Sequence, residues 1–133
     1  MKFVSSKMHG ILDYIIVFML SISPFIFNYE EDSIHCRLLM VTALLLLLTS
    51  LLTDFEFFLV KVFSFKTHLK IDFLLGIFLI SSPLIFDLRE HSIVPHLVLG
   101  FGIISLSFFT KNSIETNKAA EQLQNDMELQ EIK

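Results

Sequence analysis

Four long apolar runs, at residues 8–22, 34–52, 67–81 and 93–109, alternate with short polar clusters along the chain. They predict four helices. A helix needs about 20 residues to cross a typical hydrocarbon core, and about 17 at the least. The first and third runs are therefore short, unless the first continues past its proline to residue 27. Both end on Ser-Pro, at Ser23-Pro24 and Ser82-Pro83. Proline lacks an N–H and disfavours helix in the residue before it, so the two serines should mark helix ends or sharp kinks. Each serine hydroxyl can then satisfy a freed backbone carbonyl locally. Residues 25–27 and 84–86 fall at the membrane interface in this reading.

The pattern is stated twice. Lys7, His9, Asp13, Leu20, Ser23, Pro24, Ile26 and Phe27 recur as Lys66, His68, Asp72, Leu79, Ser82, Pro83, Ile85 and Phe86, always 59 positions on (68 − 9, for example). With Ser5/Ser64, Glu31/Glu90, Ser33/Ser92 and Ile34/Ile93 there are 12 identities in the 30 pairs from 5/64 to 34/93. A repeat of this kind fixes architecture before any local motif does. It predicts an all-α, four-helix transmembrane bundle built from two tandem two-helix units, at about 5–53 and 64–110. The units lie within a membrane domain at 1–110, followed by a polar tail at 111–133, partly helical or disordered.

Composition agrees. The 133 residues are 53% hydrophobic and 18% charged, with a mean hydropathy of +0.68. Soluble domains average about 25% charged residues. Net charge is −4, and no basic stripe points to nucleic acid. One cysteine, Cys36, excludes a disulfide framework and a multi-Cys metal site. The N-terminus resembles a secretory signal, but Asp13 interrupts its apolar core and the pattern recurs internally, so it is read as a retained first helix. Lys2, Lys7, Lys61, Lys66, Lys70, Lys111, Lys118 and Lys133 fall on one side of the alternating spans, and only Arg37 and Arg89 on the other. By the positive-inside rule both termini and the middle loop are cytoplasmic. Each unit is then a hairpin of the same orientation, related to the other by a pseudo-twofold axis along the membrane normal. The middle loop, with five phenylalanines and three charges between residues 53 and 65, is expected to lie along the headgroups.

These residues resemble the SPW-repeat family of small integral membrane proteins, which pair a His-x-x-x-Asp segment with Ser-Pro-Trp. The matching pieces are His9–Asp13 with Ser23-Pro24, and His68–Asp72 with Ser82-Pro83; the segments at 52–56 and 95–100 also look like the family's connections. The resemblance covers about residues 5–110. It departs in having no tryptophan, Phe25 and Leu84 standing in the third position. It implies four membrane helices and a bacterial inner (plasma) membrane, and brings no established activity.

The chemistry sits in His9, Asp13, His68 and Asp72. Within each pair the two residues are one helical turn apart and share a face, and a twofold axis would bring the pairs together. An Asp at a membrane helix centre costs about 2.5–3.5 kcal/mol on insertion scales, so two copies call for a reason. The first reading is structural: each carboxylate accepts a hydrogen bond that holds the helices in register. The second is proton, ion or ligand binding, since a histidine beside a carboxylate makes a plausible relay or cation site. A divalent metal held by all four is a further alternative. Haem between His9 and His68 has no supporting signature, and no cofactor is expected.

His35, His91 and His96, near Glu30, Glu31, Asp32, Asp87 and Glu90, are read as a solvated acidic rim, and Cys36 as a packed interfacial thiol. Gly76, Gly100 and Gly102 are expected to allow close helix approach. In the tail, Asn112 or Ser113 could cap a helix, Asn112 with Glu115, and Ala120, Leu123 and Met127 form a thin apolar stripe on a solvated helix. Nothing resembles a nucleophile elbow, a phosphate loop or a zinc-protease helix. The expected function is a non-enzymatic structural or accessory membrane protein; the alternative is a small transporter or ligand-binding protein. Expected partners are the lipid bilayer and further copies of the chain, with the tail's partner open.

Overall fold

The computed structural model describes residues 4–53, 62–88, 92–111 and 113–131. It is all-α among them. Helix α1 spans Ser6–Ile26, α2 Ile34–Leu51, α3 Phe65–Ile85, α4 Val94–Phe109 and α5 Ser113–Glu131. The first three are long and apolar enough to cross a membrane, while α4 is a shorter apolar helix of 16 residues. Most of the middle loop, the Arg89–His91 cluster and the Asn112 cap lie outside the described residues.

Serines set the helix starts. Ser5, Ser33 and Ser64 precede α1, α2 and α3, and each side chain accepts a hydrogen bond from the backbone N–H three residues on. Helix α4 has no side-chain cap and carries Pro95 in its first turn, where a missing N–H goes unnoticed.

The prolines do not end α1 and α3. Both helices run on to Ile26 and Ile85 and so reach 21 residues, enough to span. Pro83 frees the carbonyl of Leu79, and the Ser82 hydroxyl donates to that oxygen at 2.7 Å. Ser23 instead donates to Met19 O at 2.5 Å. The ends come a few residues later, at Asn28 and Asp87, whose φ values of 53° and 51° are left-handed. Tyr29 N–H then donates to Pro24 O and Leu88 N–H to Pro83 O, both at 2.9 Å. These six-to-one bonds are those of a Schellman ending, with Asn and Asp in the place glycine usually takes.

Helix α1 packs against α2 and α4, and α3 packs against α4 and α2. Gly76 of α3 and Gly100 of α4 bring their backbones together: a Cβ on either would meet the other's carbonyl oxygen at 2.9–3.0 Å. Gly102, expected to act likewise, faces open space. The shared core holds Leu20, Leu39, Ala43, Leu46, Leu79 and Ile103. Polar residues are buried with them, including His9, Asp13, Ser50, Thr53, His68, Asp72, Ser82, His96 and Thr110. Meanwhile Phe18, Leu44, Leu74, Val98 and Phe101 point outward, each more than half exposed. Polar inside and apolar outside is the arrangement of a protein solvated by lipid, since water-soluble chains rarely expose so much contiguous apolar surface. The described side chains of α5 are exposed, among them Leu123 and Met127.

Candidate functional site

His9 and Asp13 lie in the first two turns of α1, and His68 and Asp72 in those of α3. The helices bring all four together: one ligand-type atom from each lies within 4.8 Å of the other three. His9 Nε2 is 3.1 Å from Asp72 Oδ2 and 3.4 Å from Asp13 Oδ2. His68 Nε2 is 2.9 Å from Asp13 Oδ2 and 3.1 Å from Asp72 Oδ2. Each imidazole thus faces both carboxylates, and its shorter contact is to the one on the other helix. None of the four is more than 2% exposed. Phe65 covers the group, edge-on to His9 and stacked with His68.

Charge follows from burial. Two carboxylates with two neutral imidazoles would leave two negative charges in a dry interior, at several kcal/mol per ion. Two positive charges between the imidazole nitrogens and the carboxylate oxygens remove that cost. One proton on each Nε2 would supply them, as would one divalent cation held by the four side chains.

The surrounding groups orient the ring of His9. The Thr110 hydroxyl gives its proton to Leu106 O at 2.6 Å, so Thr110 Oγ1 accepts from His9 Nδ1–H at 2.8 Å. This hydrogen-bond network assigns the Nδ1 proton and leaves Nε2 facing the carboxylates. Around the carboxylates the two units differ. Ser50 donates to Asp13 Oδ2 at 3.0 Å. Ser107, in the same place near the end of α4, donates instead to Leu69 O at 2.6 Å. Among the described residues Asp72 Oδ1 is buried and has no hydrogen-bond partner.

At the opposite end of the core lies a second polar chain. The Ser82 hydroxyl donates to Leu79 O, so it accepts from His96 Nδ1–H at 3.0 Å. His96 Nε2 then accepts from His35 Nδ1–H at 3.2 Å. Tyr29 stacks on His35 at 4.6 Å and donates its hydroxyl to Ser92 O; burial pushes that phenol up from its ordinary pKa of 10.0. His35 and His96 are 4% and 0% exposed, which corrects the solvated rim expected for them. Both occupy the first turn of an apolar helix, where facing inward is less costly than facing lipid. Cys36 is half-buried against the core.

The site residues read from sequence fall in two places. His9, Asp13, His68 and Asp72 converge; Ser23, Pro24, Ser82 and Pro83 lie near the far end, where Ser82 also anchors the histidine chain. Ser50, Phe65 and Thr110 were not foreseen. Ser50 and Thr53 do recur, as Ser107 and Thr110, but 57 positions on (107 − 50). Helix α4 is two residues shorter than α2, so a search at a constant spacing of 59 passes over them.

A family model described as the SPW repeat domain matches residues 7–110. That stretch contains both His-x-x-x-Asp segments and both Ser-Pro pairs. Neither the comparison with curated proteins nor that with solved structures gave a match.

Proposed function

The chain belongs to the SPW repeat domain family, and from that premise we propose that it is a non-enzymatic structural or accessory membrane protein whose buried His–Asp quartet locks two transmembrane hairpins together. The first hairpin comprises α1 and α2, the second α3 and α4, forming a four-helix bundle with a pseudo-twofold axis through the quartet. Both termini face the cytoplasm, the host membrane is a bacterial inner (plasma) membrane, and α5 is a cytoplasmic tail. The lysine distribution and the 59-residue repeat support this arrangement.

The observation that carries the lock is the crossing of partners. His9 of the first hairpin meets Asp72 of the second, and His68 of the second meets Asp13 of the first. The main helix contacts run α1–α2, α3–α4, α1–α4 and α2–α3, so these side chains add a direct link between α1 and α3 to the packing that already joins the hairpins. Removing one partner of a buried ion pair costs about 3–5 kcal/mol, because the other charge is left uncompensated.

A second reading, proton or cation handling, draws on the same convergence. Against it, Leu20, Leu39, Leu46, Leu79 and Ile103, all 0–2% exposed, fill the core between the quartet and the far histidines. Replacing Asp13 and Asp72 together by Asn separates the two. As a lock, the double variant loses thermal stability in detergent and keeps the wild-type pH dependence of ion flux into proteoliposomes. A flux that is pH-dependent in the wild type and abolished in the variant would establish the second reading.

A further inference from the structure

We propose that the quartet is a closed, structural binding site for one divalent transition-metal ion, best suited to zinc, which staples the two hairpins. The inference deepens the lock reading and rests on it. Four observations converge. First, the donor set is two imidazole nitrogens and two carboxylate oxygens, a combination that suits zinc and its first-row neighbours. Second, the spacing fits. The four Nε2-to-Oδ2 edges run from 2.9 to 3.4 Å, and bonds of about 2.0–2.1 Å in a tetrahedron place ligand atoms about 3.3 Å apart. A cation at the centre needs shifts of a few tenths of an ångström along those edges, while the diagonals, which reach up to 4.8 Å, must close by up to about 1.5 Å. Third, the charge balances: one divalent cation supplies the two positive charges that two buried carboxylates require, and the whole site becomes neutral.

The fourth observation lies one layer out. Metal-bound histidines donate their other ring N–H to a fixed acceptor, which sets the tautomer and aims the lone pair. His9 does this through Nδ1–H to Thr110 Oγ1, whose own proton is committed to Leu106 O. Asp13 is held by the Ser50 hydroxyl. Asp72 Oδ1, buried and unpartnered among the described residues, is an acceptor whose unmet demand a bound cation would satisfy. With four protein ligands, none more than 2% exposed, and Phe65 packed against both imidazoles, the donor set is the closed one of structural zinc sites.

The test uses the full chain purified in detergent without chelator. Elemental analysis should find about one zinc per chain, and cobalt exchanged into the site should give the visible ligand-field bands of four-coordinate Co2+. Asp72→Asn and His68→Gln should abolish those bands while the helical circular dichroism persists. Thr110→Val should weaken cobalt binding by about 10–100-fold, the usual cost of losing an outer hydrogen bond. Wild-type protein that holds no stoichiometric zinc and gives no cobalt bands overturns the metal site, and needs no variant to fold. Bands that persist in Asp72→Asn overturn the assignment equally. The lock fails separately: it is lost if the Asp13→Asn, Asp72→Asn double variant melts with the wild type, and it stands without metal if that variant melts lower while the wild type binds none.

Discussion

Asp13 and Asp72 occupy equivalent places in the repeat but not equivalent surroundings. Ser50 gives Asp13 a hydrogen bond to a charged acceptor, a class worth about 1.5–3 kcal/mol, whereas Ser107 bonds a neutral carbonyl, worth about 0.5–1.5 kcal/mol. Ser50→Ala should therefore lower the melting temperature in detergent more than Ser107→Ala does. Equal effects would mean that the serine contributes nothing to the quartet. The third position of the Ser-Pro motif offers a complementary test. Phe25 and Leu84 are 71% and 87% exposed, so Leu84→Trp adds an aromatic at the lipid interface without crowding the core. Its melting temperature should match the wild type, and a large loss would show that the position is buried in the membrane-embedded protein.

Among the elements, α3 and α4 make the most extensive contact, and Gly76 and Gly100 face each other within it. Gly100→Ala drives a methyl into Gly76 O and the Ile80 side chain, and overpacking of this kind costs about 1–3 kcal/mol. Gly102→Ala meets nothing and should be neutral or slightly stabilising, because Ala favours helix over Gly by about 1 kcal/mol. Comparing the two variants by thermal unfolding checks the α3–α4 contact directly. Sequence distinguishes these glycines poorly, since Gly100 and Gly102 differ only in which face of α4 they occupy. The helix ends were also partly hidden. Ser-Pro announces a break, yet the chain continues for another turn, because a hydroxyl replaces the lost donor in α3 and the terminating Schellman turn is encoded in Asn28 and Asp87. Both residues are 59 apart, and their readiness to adopt positive φ is the signal that would have found them.

At the scale of the whole molecule, the repeated spacing of 59 pointed to His9, Asp13, His68 and Asp72, and the packing of the helices places one ligand-type atom of each within 4.8 Å of the others. The histidine chain at the far end was not legible. His35 and His96 are 61 residues apart (96 − 35), out of register with the repeat, and only the packing of α2 and α4 against α1 and α3 brings them together. Orientation in the membrane gives the next test. In a Cys36→Ala background, cysteines at Val62 and Asn117 should react only with a reagent admitted to the cytoplasmic side, and a cysteine at Asn28 only from the opposite side. Labelling of Val62 and Asn117 from different sides would contradict two hairpins of the same orientation.

The crossing of partners between hairpins is tested most directly by a double-mutant cycle on His68 and Asp13, 2.9 Å apart across the core. His68→Ala, Asp13→Ala and the double variant are unfolded in detergent beside the wild type. Direct contact predicts a coupling of about 1–3 kcal/mol, the double variant losing less than the two single losses combined. Effects that add to within about 0.5 kcal/mol would mean that the two residues act independently and that the hairpins are not locked through them.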